Sequence, residues 1–381
     1  MVSPVLLLIG LLVLQTPAAP AGDLDSAISQ LGSFDFAQRT EAARRLRRAD
    51  PAVVVPALEA AARSHADEYV RYRALVLLSG IDTAAMNRVA ADLLGDRNDR
   101  IRTVVYAWFE HHPSPGMTSR LIAALPREAS EFVRPALLRA LAAAGDGPEL
   151  QKLLEPLVFR GDDLFRGSVI TALGDYGGRY AVGSIRKVAM LDGPLQDDAV
   201  TALGRLGDKS ALAELAALQK TGPRELQPTV SAALCLLGVD CEARIRFVRE
   251  TLTFAAAGPA QGPLLRGAVH AAATLARAGH RDMLELIVDT ALPAADGAVR
   301  DSLTLGLGTV ILREPLAALE LYETRGQDPA LAQLYRDAFD MLAEDFEKEQ
   351  FGAAVRRVLW TSPEGSPRRN AAASLLDALE F

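Results

Sequence analysis

A pattern of about 32 residues recurs along this chain, and few folds are open to a chain built that way. Each unit has an apolar residue, then Arg, then a run rich in Ala and Leu. It stands at Val70-Arg71, Ile101-Arg102, Val133-Arg134 and Phe165-Arg166, at spacings of 31, 32 and 32. It returns at Leu265-Arg266, Val299-Arg300 and Tyr335-Arg336, with Arg39 and Arg369 in register at the two ends. An acid precedes the Arg by three positions in four successive units: Glu68, Asp99, Glu131 and Asp163. The ladder lapses from about 195 to 260, yet the period survives, since Ala172-Leu173-Gly174 is followed 30 residues on by Ala202-Leu203-Gly204.

Each unit reads as two helices. The first carries the Arg and an apolar stripe such as Val169, Ala172, Leu173 and Tyr176, at helical spacing. It ends at a Gly, at positions 80, 145, 177, 207, 238 and 279, where a left-handed cap costs least. A second helix follows, as in Pro51 to Arg63, with Asp50 as its N-cap and Pro51 at the first helical position. No segment alternates apolar and polar residues as a half-buried strand does. An isolated amphipathic pair cannot bury its apolar face, but about ten pairs in register bury one continuous core. The expected fold is therefore all-α, an α-α superhelix or solenoid of about ten helix pairs. It spans residues 35–381 behind a linker or capping helix at 22–34.

The run Asp35 to Leu46, the repeated apolar-Arg-x-x-Ala units and Ala172-Leu173-Gly174-Asp175-Tyr176-Gly177 resemble bacterial HEAT repeats. The resemblance covers the chain from about Leu24 to Phe381. It implies a curved right-handed superhelix with the second helices on its concave side, and a binding scaffold. It also implies a bend in the first helices, matched here by Pro135 and Pro228, each of which removes a backbone donor. The 41-residue interval between Gly238 and Gly279 departs from the pattern and suggests an insertion through 255–263.

Val5 to Leu14 is an apolar run of ten, about 15 Å as a helix, half of what a bilayer core requires. Ala19-Pro20-Ala21 follows with the small-x-small pattern of a cleavage site, so residues 1–21 read as a signal peptide cut after Ala21. The expected product is exported, periplasmic or secreted, with no membrane span after cleavage. With 41 Lys+Arg against 48 Asp+Glu and net charge −7, the chain lacks the basic surplus that nucleic-acid binding needs.

The Arg/acid ladder has two readings: a structural one, in which each Arg is held by neighbouring acids and fixes the stacking, and an anion-gripping one. The four acids favour the structural reading. Glu110-His111-His112 is the one clustered His set; adjacent helical side chains diverge, so a surface turn is expected there and no metal. Ser184-Ile185-Arg186-Lys187 with Lys220-Thr221-Gly222 matches penicillin-binding motifs only by coincidence, since a strand is needed for the second. Gly174 to Gly178 reads as a turn and Gly306-Leu307-Gly308 as close packing, neither as a phosphate cradle. Cys235 and Cys241 flank the Gly238 turn and are either a disulfide or two buried thiols. Tyr106, Trp108, Phe109 and Phe132 are expected in the core between repeats. No acid, base and nucleophile set assembles, and no cofactor motif is present. The expected function is a non-catalytic scaffold for a protein or peptide; the alternative is an enzyme or cofactor-handling protein on the same fold.

Overall fold

The computed structural model describes residues 21–342 and 344–381; the expected signal peptide therefore lies outside the described residues except for Ala21. The chain is all helix and turn, with no strand among the described residues. In order the helices are α1 (Ala21–Gln30), α2 (Phe36–Arg48), α3 (Pro51–Ser64), α4 (Glu68–Ile81), α5 (Thr83–Leu93) and α6 (Asp99–His111). Next come α7 (Pro115–Ala124), α8 (Arg134–Ala143), α9 (Pro148–Leu154), α10 (Asp163–Asp175), α11 (Val182–Ala189) and α12 (Gln196–Leu206). They continue as α13 (Leu212–Thr221), α14 (Gln227–Leu236), α15 (Cys241–Ala256), α16 (Gly262–Arg277) and α17 (Arg281–Ala291). The last are α18 (Gly297–Ile311), α19 (Pro315–Thr324), α20 (Pro329–Leu342), α21 (Asp345–Thr361) and α22 (Pro367–Ala378).

Local chemistry starts and stops these helices as the sequence leads one to expect. Side-chain oxygens of Asp35, Asp50, Asp67, Asn98 and Asp162 accept first-turn N–H groups, each cap contributing about 1 kcal/mol. Gly145, Gly177, Gly207, Gly238 and Gly279 all have positive φ and turn the chain after a first helix. Gly80 is different. It lies inside α4 without positive φ, and a Cβ there would come within 2.3 Å of Glu349 Oε1. Its small size makes room for a side chain from the far end of the protein.

The first helices of successive units, α4, α6, α8, α10, α12, α14, α16, α18 and α20, stack each on the next. The Ala-Leu-Gly period marks where they approach most closely: a Cβ on Gly174 would meet Ala202 Cα at 2.8 Å, and one on Gly204 would meet Ala233 Cα at 2.7 Å. Ties that span the molecule also run between these helices or the turns that end them, as with Thr201 to His270 and Glu110 to Arg313 just past α18. The first helices therefore line the inner face, not the second helices that the family resemblance implied. The stack also turns far enough to meet itself, because α21 packs on α4. Arg73 pairs with Asp345 at 2.5 Å, and Gln350 Nε2 donates to Ser79 Oγ at 2.9 Å.

The apolar interior is two clusters rather than one. The first runs from Ala27 to Leu237 and takes in Phe346, and the second runs from Ala232 to Leu379. They meet in α14, which gives Val230, Ala233 and Leu234 to one and Ala232 and Cys235 to the other. The long interval after Gly238 is not an inserted loop: α15 and α16 are 16 residues each and absorb it, with a 3₁₀ turn at Pro259–Gln261 between them. Pro135 and Pro228 do not kink their helices either. Both sit in the first turn, where the missing N–H has no intrahelical partner to lose. Phe132 is 82% exposed, whereas Tyr106, Trp108 and Phe109 are buried as expected.

Candidate functional site in the interior of the superhelix

The ladder arginines point back along the chain. Arg71 Nε donates to Ala62 O, Arg134 Nε to Glu128 O, Arg166 Nε to Val158 O and Arg369 Nη1 to Ser362 O. Arg39 does the same with the carbonyls of Ser33 and Phe34. These carbonyls sit at or just beyond the end of the preceding helix, where unpaired acceptors and the helix dipole favour a cation. The acids differ in part from the expected set. Asp99 and Asp163 bond their own Arg102 and Arg166, but Glu68 pairs with Arg97 and Asn98, and Glu131 is exposed. Arg71 is held instead by Asp96, and Arg102 by Glu128 at 2.8 Å. Arg300 reaches Asp337, Arg266 lines a cleft, and Arg336 is partly buried with its Nε unbonded.

A cleft of about 660 Å³ opens on the inner face where α12, α16 and α18 converge. The bend before α12 supplies Asp192, α12 supplies Asp197, and the 3₁₀ turn Arg224–Leu226 supplies Glu225 and Leu226. Across from them α16 contributes Arg266, Val269 and His270, and α18 contributes Leu305 and Thr309. Gly267 lets α16 approach the Glu225 turn closely, since a Cβ there would lie 2.1 Å from Glu225 O. Three carboxylates thus share a partly apolar cleft with one Arg and one His.

Deeper in, a second space of about 180 Å³ shares His270, Ala273 and Thr309 with the first and reaches Asp198, Thr201, Arg205 and Arg277. His270 Nε2 lies 2.9 Å from Thr201 Oγ1 and 3.6 Å from Asp197 Oδ2. Enclosure by the surrounding helices lowers the His270 pKa, although the ring still faces the open cleft. Burial pushes Asp198 up to about 6, with Asp197 beside it adding to the shift and Arg205 opposing it.

Beyond these groups the interior turns basic. Asp175 Oδ1 accepts from Arg205 at 2.5 Å and from Arg277 at 3.3 Å. Burial brings Arg205 down to about 10, opposed by Asp175 and aided by Arg277 and Arg313. Glu110 completes the series. Its Oε1 accepts from Arg313 at 2.7 Å and from Tyr176 Oη at 2.5 Å, and its Oε2 from Arg139 at 2.9 Å. Burial alone would raise the Glu110 pKa, but Arg139, Arg313 and Tyr176 overcome it and bring it to about 2. Glu110 is only 3% exposed, so the surface turn expected at Glu110-His111-His112 is wrong for this residue. His112 stacks on Trp108 at 3.6 Å, while His111 remains at the surface.

This tract can bind; it is not arranged as a nucleophile relay. In such a relay the acid and the nucleophile occupy opposite nitrogens of the histidine. Here Asp197 and Thr201 approach the same one, Nε2. Ser184 bonds Glu155 in α11, and Lys220-Thr221-Gly222 closes α13, so the penicillin-binding resemblance has no site behind it.

A scan of family models and a search of curated proteins found no match to this chain. Among solved structures it is similar to a chain of the complex in which Kap95p binds RanGDP, at 12% identity and TM-score 0.43, covering 94% of this chain and 55% of that one. It is also similar to the C-terminal fragment of the Chaetomium thermophilum cohesin loader SCC2, at 14% identity and TM-score 0.32, covering 94% of this chain and 38% of that one. This chain thus spans about half or less of the solved chains it matches, and its architecture stands on its own internal contacts.

Proposed function

We propose that this chain is a non-catalytic binding protein of the exported space, a HEAT-type solenoid that receives a cationic segment of a protein or peptide in its interior cleft. The observation that carries this reading is the cleft itself. Asp192, Asp197 and Glu225 line a space shared with Leu226, Val269 and Leu305, with Arg266 as its cationic neighbour and His270 beside it. Carboxylates beside apolar walls suit a Lys or Arg side chain whose aliphatic stem packs while its head pairs. Export is supported by the apolar run Val5 to Leu14 and by Ala19-Pro20-Ala21. Among the described residues no single helix is long and apolar enough to cross a membrane.

The test is a fluorescence titration with short synthetic peptides carrying Lys or Arg among apolar residues, against matched peptides carrying Glu. Basic peptides should bind, more weakly as salt rises, and Asp197→Asn with Glu225→Gln should lower affinity by about tenfold or more. Equal binding of basic and acidic peptides, or an unchanged affinity in the double variant, would remove the reading. Mass spectrometry of the protein recovered outside the cytoplasm tests cleavage after Ala21.

A further inference from the structure

His280 stands 45 positions from Cys235 and 39 from Cys241, so the local sequence does not connect it with them. The fold does. Cys235 ends its buried stretch in α14, Cys241 opens α15 across the Gly238 turn, and Gly279, at φ 102°, delivers His280 to the start of α17. The two sulfurs are bonded to each other, and His280 Nε2 lies 3.8 Å from Cys235 Sγ and 3.9 Å from Cys241 Sγ. All three donor atoms fall within 4.8 Å of one another. Cys235 is buried, and Cys241 and His280 are half-buried. The cluster is thus shielded but reachable.

We propose that the reduced cysteine pair and His280 form a binding site for a thiophilic cation, Cu(I) or Zn(II), which the disulfide closes. Two sulfurs and one imidazole nitrogen are a soft donor set: they suit Cu(I) in a three-coordinate site, or Zn(II) with a solvent molecule in the fourth position. Opening the site needs a dithiol reductant, which gives two electrons and two protons to the S–S bond and is itself oxidised to a disulfide. On binding the cation each thiol releases its proton to solvent, and neutral His280 donates its Nε2 lone pair. In the disulfide the sulfurs carry no thiolate charge, so the oxidised protein lacks two of the three donors.

The experiment titrates the full chain, reduced and kept free of oxygen, with Co(II) as an optical stand-in for Zn(II). Cu(I) is titrated separately against a chromophoric chelator. Reduced protein should bind one equivalent, with a sulfur-to-cobalt charge-transfer band, and the same sample after oxidation should bind none. His280→Ala should weaken binding by at least about tenfold, since losing a ligand costs no less than losing its supporting partner. Cys235→Ser with Cys241→Ser should abolish the band. Equal metal uptake by reduced and oxidised wild type would overturn the proposal without any substitution. So would a His280→Ala protein, folded by circular dichroism, that keeps the wild-type affinity and spectrum.

Discussion

Arg47 and Glu349 stand 302 positions apart, and the guanidinium donates to Glu349 Oε2 at 2.6 Å from Nη2 and 3.0 Å from Nε. Arg356 holds the other oxygen, Oε1, at 2.5 Å, and Glu349 is 1% exposed. With Arg73–Asp345 and Ser79–Gln350 this triad forms the seam where α21 meets the N-terminal helices. A carboxylate buried between two arginines is costly to remove, because both cations are left without it.

Glu349→Ala should therefore destabilise the protein by about 3–5 kcal/mol in urea unfolding. It should also enlarge the radius of gyration in small-angle scattering as the seam opens. Glu41→Ala, which removes an exposed partner of Arg44, should change stability by less than about 1 kcal/mol. Similar losses in the two variants would show that the seam contributes nothing special.

Three glycines in helices should respond differently to alanine. Gly183 in α11 has nothing within 4 Å of its Cβ position, so Gly183→Ala should stabilise by about 0.5–1 kcal/mol. Gly204→Ala would place a methyl 2.7 Å from Ala233 Cα and should cost about 1–3 kcal/mol despite the gain in helix propensity. Gly80→Ala would press on the Glu349 carboxylate and should be destabilising as well. Thermal melts of the three variants read the order directly.

Acid should loosen the protein partly through Glu110. Its folded pKa of about 2 lies below the ordinary 4.5, so its contribution is present above pH 4.5 and is lost as pH falls through 2. The full shift corresponds to roughly 3 kcal/mol. Glu110→Gln should lower stability at pH 7 by about that amount and flatten the acid limb of the stability–pH curve. A variant whose acid limb runs parallel to wild type would contradict the assignment.

Asp198 should act in the opposite sense. Its pKa is raised from 3.8 to about 6, so its ionisation opposes folding: stability falls as pH rises between those values. Asp198→Asn should match wild type below pH 3.8 and exceed it above pH 6, by up to about 3 kcal/mol. Urea unfolding at several pH values measures the difference.

Neighbour relations were legible in the sequence, and distant ones were not. The spacing of Arg71, Arg102, Arg134 and Arg166 exposes the stacked helices because each unit touches the next in the same way. Ala172-Leu173-Gly174 and Ala202-Leu203-Gly204 likewise mark close helix contacts that repeat. Curvature is another matter. It accumulates from small rotations per repeat, and no residue reports the sum. Hence Glu110 reads as a surface acid until Arg313, 203 positions away, is seen against it. Gly80 reads as a helix stop until Glu349 is found over it. Asp197 and Glu225 fall where the Arg/acid ladder lapses and His270 in the unit where Arg266 resumes it, so no pattern linked them into a cleft.

The clasp between α21 and α4 changes what such a chain can become. An open array tolerates one unit more or one fewer, since each added pair simply lengthens the row. Here duplicating or deleting a pair would carry Glu349 away from Arg47, so the number of units is bound to the geometry of closure. Growth by tandem copying, the usual evolutionary freedom of modular proteins, would first have to unfasten the two ends.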